Sequence, residues 1–80
     1  MPDTIQRLKT LIVITGLSRS TIYLRIAQGL FTRPISLGGR SVGWPASEVA
    51  ALNAARIAGR SDAEVRELVL ALQSARKAAK

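Results

Sequence analysis

The sequence has no cysteine and no histidine among its 80 residues. The first absence excludes disulfides and thiolate metal sites, and the second removes the commonest general base and metal ligand. Acidic residues are also few, and four of the five lie at predicted helix starts, where capping and the helix dipole explain them. Acid–base catalysis needs a positioned pair of groups with tuned pKa values. We therefore expect no enzyme, no metal, no cofactor and no small-molecule substrate.

Large aromatic side chains and long apolar runs are scarce as well. The chain has one Phe, one Tyr and one Trp, so Leu, Ile and Val must form most of its core. Residues 11–14 are apolar, but this run is too short for a signal peptide, and no run approaches the length that crosses a bilayer. Eighty residues allow one small core. We expect a cytoplasmic protein with no membrane partner.

Acidic residues are missing from one long interval, between Asp3 and Glu48. That interval contains the cations Arg7, Lys9, Arg19, Arg25, Arg33 and Arg40, whereas residues 46–80 mix six cations with four acids. A merely soluble basic protein would spread its net charge of +7 evenly. The asymmetry instead predicts an anionic partner such as DNA, bound by the first half of the chain.

Residues 15–44 read as a helix-turn-helix followed by a β-hairpin wing. Ser18 precedes the periodic residues Ile22, Ile26 and Leu30, which predicts a helix over residues 18–29 that Ser18 caps and Gly29 ends. The preceding apolar run could be a helix or a buried strand, and its position before a Thr-Gly turn favours a helix over residues 9–15. Residues 34–37 and 40–44 are β-prone, and Gly38-Gly39 between them indicates a hairpin turn.

Two further helices are predicted beyond the wing. One begins at Trp44-Pro45, because proline suits the first helical position, and buries Val49, Leu52 and Ile57. Trp44 could stack on a base, but a lone tryptophan that closes a hairpin is more often a core anchor. The other helix follows the capping box formed by residues 61–64. Its last residues, 76–80, are expected to fray.

The final helix carries an apolar stripe at helical spacing, formed by Val65, Leu68, Val69 and Leu72. The stripe could pack on its own domain or on the same helix of a second subunit. We favour the second alternative, a homodimer or a higher assembly on DNA.

The motifs resemble a known family. TGLSRSTIY at residues 15–23, Pro34-Ile35 and LGGRSVGW at residues 37–44 look like the AlpA-type prophage regulators, small winged helix-turn-helix proteins related to phage excisionases and the MerR DNA-binding domain. The resemblance covers roughly residues 5–58. It implies a mainly α fold with a small β-hairpin wing, with residues 4–8 as a strand against the wing. The predicted division is therefore a DNA-binding domain over residues 1–58 and a C-terminal amphipathic helix, as an oligomerisation element, over residues 59–80.

This chain departs from the family pattern at three positions. Leu24 and Arg25 appear in swapped order, so Leu24 should be exposed or face DNA while Arg25 borders the core and must extend its charge outwards. Ser36 stands where lysine is common. These changes bear on the target sequence more than on the fold.

The resemblance implies double-stranded DNA as the partner, with the Ser18 helix in the major groove and the hairpin as wing. At the start of such a helix, Arg19 is the expected reader of a guanine edge, and the Tyr23 hydroxyl could reach a phosphate. Arg40 and Ser41, beside the turn, suit phosphates or the minor groove. The full set of predicted DNA-binding residues is Arg19, Ser20, Thr21, Tyr23, Arg25, Arg33, Arg40 and Ser41.

Three functions remain open at this point. The first is a sequence-specific transcriptional regulator of prophage or integrated-element genes. The second is an excisionase-like recombination directionality factor, which has the same fold and differs in the arrangement of its sites. The third is a protein-interaction module whose last helix docks a partner. Fold alone does not decide among them.

Overall fold

The computed structural model describes residues 3–78. Over this range the chain forms four helices and a three-stranded antiparallel sheet with strand order β1-β3-β2. The elements are β1 (Ile5–Gln6), α1 (Leu8–Thr15), α2 (Arg19–Ala27), β2 (Ile35–Gly38), β3 (Ser41–Pro45), α3 (Ala46–Ile57) and α4 (Asp62–Ala78). This is the predicted winged helix-turn-helix, mainly α with a small hairpin, followed by a C-terminal helix.

The turn between α1 and α2 follows the local sequence. Gly16 takes a left-handed conformation with φ of 71°, and its N–H donates to the Ile12 carbonyl, which closes α1. The Ser18 hydroxyl accepts a hydrogen bond from the Thr21 N–H at 3.3 Å and so caps α2. Both predicted caps are confirmed, and the ambiguous apolar run is helical. The last helical residue of α2 is Ala27, two positions before the left-handed Gly29.

The wing has the predicted strands with a shifted turn. Gly38 pairs with Ser41, so the connecting residues are Gly39 and Arg40 rather than Gly38 and Gly39. Gly38 and Gly39 both have positive φ, of 104° and 55°, and this conformation carries the chain through the bend. The shift places Arg40 at the tip of the hairpin.

The N-terminal arm pairs with the wing and also caps α3. In the pairing, Ile5 lies opposite Pro45, which confirms the strand that the resemblance implied. Pro45 precedes the first helical residue instead of occupying it, and it offers no side-chain cap. The Asp3 carboxylate supplies one: it accepts hydrogen bonds from the Ser47 N–H at 3.1 Å and from the Ser47 hydroxyl. The hydroxyl bond is the main reason that the pKa of Asp3 lies below its usual value.

A single cluster of buried side chains joins all four helices and the wing. Trp44 is fully buried, its indole N–H donates to the Thr32 carbonyl at 2.9 Å, and its ring meets Phe31 edge-on. The prediction of Trp44 as core anchor is confirmed. Ile57, by contrast, is 88% exposed, so its predicted burial is wrong. The buried face of α3 continues from Leu52 to Ala55, and Ile57 points away from that face.

The last helix packs on the same core. Ser61 and Glu64 form the predicted capping box, and the bond from the Ser61 N–H is the main cause of a lowered pKa for Glu64.

Two residues of the apolar stripe of α4 pack on their own domain. Val65 and Val69 are 1% and 4% exposed within the single chain. Packing within their own chain leaves little of these two side chains exposed. Leu68 and Leu72 are half-buried at the edge of the core.

The end of α4 is anchored rather than frayed at Arg76. The Arg76 guanidinium donates to both oxygens of the buried Glu48 carboxylate, at 2.7 and 2.6 Å, and to the Arg33 carbonyl at 2.7 Å. The fraying predicted from residue 76 onwards is wrong at this position because a partner on α3 holds the side chain. Residues 79 and 80 lie outside the described part of the chain.

Candidate nucleic-acid interface

The exposed face of α2 is continuous and uncharged except at its start. Arg19 is the first helical residue, and Ser20, Tyr23 and Leu24 follow it on the outside of the helix. Ile22 is fully buried, which fixes the opposite side of α2 against the core. The helix therefore presents a guanidinium, a hydroxyl, a phenol and an aliphatic side chain on a rigid support.

The start of α2 also gathers hydroxyl groups. The Ser18 oxygen lies 3.3 Å from that of Ser20 and 2.9 Å from that of Thr21. Ser18 and Thr21 are thus engaged in capping the helix, and Thr21 is half-buried. Ser20, unlike Thr21, is exposed. The free amides at a helix N-terminus can in addition receive a phosphate oxygen.

Leu24 is an exposed side chain of this face that the predicted set of DNA-binding residues did not include. It is 56% exposed and lies one helical turn beyond Ser20 on the same face. The sequence did indicate its exposure, because Leu24 falls opposite Ile22 on a helical wheel. An aliphatic side chain at this place suits the methyl group of thymine.

Arg25 occupies a different side of α2 from the other predicted contacts. It is half-buried, it lines a cavity beside α3 and α4, and its Nε atom is buried with no hydrogen-bond partner among residues 3–78. The expectation that Arg25 borders the core is thereby met. The structure does not bring Arg25 onto the face that Ser20 and Leu24 share.

The wing contributes a second basic element. Arg40 is exposed at the hairpin tip, and Ser41 beside it begins β3 and is half-buried. Arg33 is exposed before β2, and its backbone is fixed by bonds from its N–H to the Gln73 side chain and from Arg76 to its carbonyl. Helix α4 thus supports the segment that leads into the wing.

Few of the cations are neutralised. In the part of the chain that the structure describes, the ion pairs with carboxylates are Arg60 with Glu64 and Arg76 with Glu48. Both pairs lie in the C-terminal half. Arg19, Arg33 and Arg40 consequently keep their charge available to a polyanion.

Neither a metal centre nor a membrane segment is found in the described range. Residues 3–78 contain no group of three acidic, histidine or cysteine side chains that could hold a metal ion. None of the helices in that range is long and apolar enough to cross a membrane.

Comparison with known proteins agrees with this geometry. The family described as "Prophage CP4-57 regulatory protein (AlpA)" matches residues 4–57. A protein of Enterobacteria phage P4, described as "Uncharacterized protein ORF88", is 48% identical over 64 residues, which cover 75% of this chain and 73% of the relative. No solved structure matches significantly. The match over most of the chain, including the helix-turn-helix and the wing, shows that this protein belongs to the AlpA family of prophage regulatory proteins.

Proposed function

We propose that this protein is a sequence-specific DNA-binding transcriptional regulator of prophage or integrated-element genes, acting in the cytoplasm. Helix α2 enters the major groove, and the β2–β3 hairpin contacts the backbone or the minor groove. The observation that carries the proposal is the pairing of two unneutralised arginines, Arg19 on α2 and Arg40 on the wing tip, with no acidic residue between Asp3 and Glu48.

The exposed face of α2 contacts the bases. Arg19 can form two hydrogen bonds with a guanine edge, and Leu24 can contact a thymine methyl group. Ser20 lies between them and can bond to a base or a phosphate, while the Tyr23 hydroxyl suits a phosphate because its ring is partly packed. Thr21 acts mainly by holding the helix start in place.

The wing and the segment that precedes it position the protein on the duplex. Arg40, Ser41 and Arg33 offer two charges and a hydroxyl to phosphate oxygens, which orient a protein without reading sequence. Arg25 contributes at most a long-range charge, because its guanidinium lies beside the core.

Specificity on a genome needs more than one copy. A single subunit of this size places one helix in one groove and reads few base pairs, so we propose that two or more subunits bind together. Leu68 and Leu72, half-buried on α4, remain the candidates for a contact between subunits. Val65 and Val69 are left out of this proposed contact, since little of either side chain is exposed.

Selection of binding sites from a random duplex pool at near-physiological salt tests the proposal. Enrichment of a repeated half-site is the expected result, and its spacing reports how the subunits are arranged. Failure to enrich any sequence, together with binding that vanishes as salt rises, would overturn sequence-specific recognition. Mapping the selected sites to a promoter supports transcriptional control, whereas direct repeats at an attachment region would support the excisionase-like role.

A further inference from the structure

A cavity of about 270 Å³ opens on the side of α2 that faces away from the proposed DNA surface. It lies between the α1–α2 turn, the segment after α2, the second half of α3 and the start of α4. Its apolar walls are formed by Ile14, Leu17, Leu30, Phe31, Leu52 and Val65. Ile57 stands at its mouth, where this side chain is 88% exposed.

The polar lining of this cavity is positively charged. Arg25 and Arg56 both border it, and Asn53 adds an amide whose nitrogen is bonded to the Ile14 carbonyl at 3.3 Å. No carboxylate lines the cavity, and neither arginine forms an ion pair with a described residue. Two guanidinium groups therefore border an apolar pocket without a counter-charge.

The Arg25 guanidinium has a nitrogen that lacks a hydrogen-bond partner within the described residues. Its Nε is buried and has no hydrogen-bond partner among residues 3–78, and a buried donor without an acceptor is unfavourable. The two terminal nitrogens of the same guanidinium are not buried, and a carboxylate of a bound molecule can pair with them from the cavity. The adjacent walls would at the same time remove an alkyl chain from water.

We propose that this cavity binds a small amphipathic carboxylate, a medium-chain alkanoate being the simplest example. The carboxylate lies against Arg25 and Arg56, and the alkyl chain runs along Leu17, Phe31 and Leu52. The cavity volume lies just below the range of about 300 to 1,000 Å³ that is usual for ligand pockets, so we choose a small ligand such as octanoate. The cavity lies on a different side of α2 from the proposed DNA surface.

The test uses the full chain and a series of sodium alkanoates, observed by NMR of the backbone amides. Octanoate should saturate and shift the amides of cavity residues, and it should bind about tenfold more tightly than hexanoate, because each buried methylene contributes about three- to fourfold. Octanol has the same tail without the charge and should bind at least fivefold more weakly than octanoate. Equal binding of octanol, or shifts that do not saturate and spread over the surface, would overturn the proposal.

Charge-removing variants locate the carboxylate. Arg25→Gln and Arg56→Gln should each weaken octanoate binding severalfold, whereas Lys9→Gln, which removes an exposed cation of α1 outside the cavity, should leave it unchanged. The unfolding midpoint of each variant is measured first. Should Arg25→Gln fail to fold, Arg56→Gln and the octanol comparison decide the outcome. Unaltered octanoate affinity in a folded Arg25→Gln variant would overturn the assignment.

Discussion

Arg76 on α4 and Glu48 on α3 form a two-point ion pair, with nitrogen–oxygen distances of 2.7 and 2.6 Å. The Glu48 side chain is 5% exposed and that of Arg76 is 25% exposed, so the pair is largely withdrawn from water. The same guanidinium holds the Arg33 carbonyl. One side chain thus ties the end of α4 to the start of α3 and to the segment that enters the wing.

Replacement of Arg76 by Ala should destabilise the fold by about 2 to 4 kcal/mol, because it leaves the Glu48 carboxylate buried and unpaired. Urea unfolding followed by tryptophan fluorescence measures the change. Lys77→Ala is the matched control, since Lys77 is the exposed neighbour of Arg76, and it should change stability by no more than about 0.5 kcal/mol. Equal effects of the two substitutions would show that the pair contributes nothing.

The Asp3 cap of α3 predicts a pH dependence. Because hydrogen bonds from Ser47 hold the pKa of Asp3 below its usual value, the folded state binds that proton less readily than the unfolded state. The cap therefore stabilises the fold above the unfolded pKa of Asp, about 3.9, and is lost as pH falls through the lower folded value.

Two substitutions of Asp3 separate the cap from its charge. Asp3→Ala should destabilise the fold at pH 7 by about 1 kcal/mol, which is typical of a lost N-cap. Asp3→Asn keeps a hydrogen-bond acceptor and should retain part of the cap. Because Asn does not titrate, this variant should lose less stability between pH 5 and pH 2 than the native chain loses. Unfolding curves across that pH range provide the measurement. Identical pH profiles for the native and Asn forms would contradict a capping role for the carboxylate.

Arg19 and Arg40 should affect DNA binding differently. Arg19→Ala should weaken binding to the selected site by roughly 1 to 3 kcal/mol and relax one base position, since it removes a base contact. Arg40→Ala should weaken binding to all duplexes alike and reduce the salt slope by about one unit, as expected for one lost phosphate contact. Titrations of selected and random duplexes at several salt concentrations distinguish the two. Equal losses on both duplexes for both variants would refute this division of roles.

Leu24 offers a narrower test of the α2 surface. If it contacts a thymine methyl group, Leu24→Ala should reduce the preference for thymine over uracil at one position of the selected site. Leu70→Ala, which removes an exposed leucine of α4 that is not among the proposed DNA contacts, serves as the matched control. Uracil substitution in the duplex, position by position, shows whether such a methyl contact exists. A native protein indifferent to every uracil substitution would exclude it.

Local sequence signals accounted for most of the backbone. Gly16, Ser18 and the capping box at Ser61 each act within four residues, and each ends or begins a helix where the sequence indicated. The wing turn was one residue off because the strand register shifts between Ser36 and Gly38, so that Gly38 still pairs with Ser41. Short-range chemistry therefore sufficed for the fold class and for the exposed face of α2.

Contacts between distant segments could not be predicted in the same way. Asp3 caps α3 by bonding to Ser47, which lies 44 positions further along the sequence. Arg76 and Glu48 are 28 positions apart. Neither partner carries a local pattern that identifies the other, so Asp3 resembled an arm residue and Arg76 a frayed end. The cavity beside Arg25 is likewise formed by four separate segments, and the sequence indicated only that Arg25 borders the core.

The contribution of α4 to the core gives the final prediction. Val69 is 4% exposed whereas its neighbour Leu70 is 65% exposed, so the two form a matched pair on one helix. Val69→Ala should destabilise the fold by roughly 1 to 3 kcal/mol, while Leu70→Ala should have an effect within about 0.5 kcal/mol. A chain that ends at Ala58 lacks both Val65 and Val69 and should lose cooperative unfolding, which would show that residues 1–58 do not fold alone.

Protein concentration separates this role of α4 from an assembly role. If Val69 stabilises only its own subunit, the urea midpoint of the native chain and the loss caused by Val69→Ala should not change with protein concentration. A dimer that requires the buried stripe would instead show a midpoint that rises with concentration, and the rise would disappear in the Val69→Ala variant. Sedimentation equilibrium of the native chain alone and with the selected duplex then reports any assembly through Leu68 and Leu72. Leu68 and Leu72 are half-buried and leave little apolar surface for a dimer in free solution. We therefore expect assembly through these residues only on DNA.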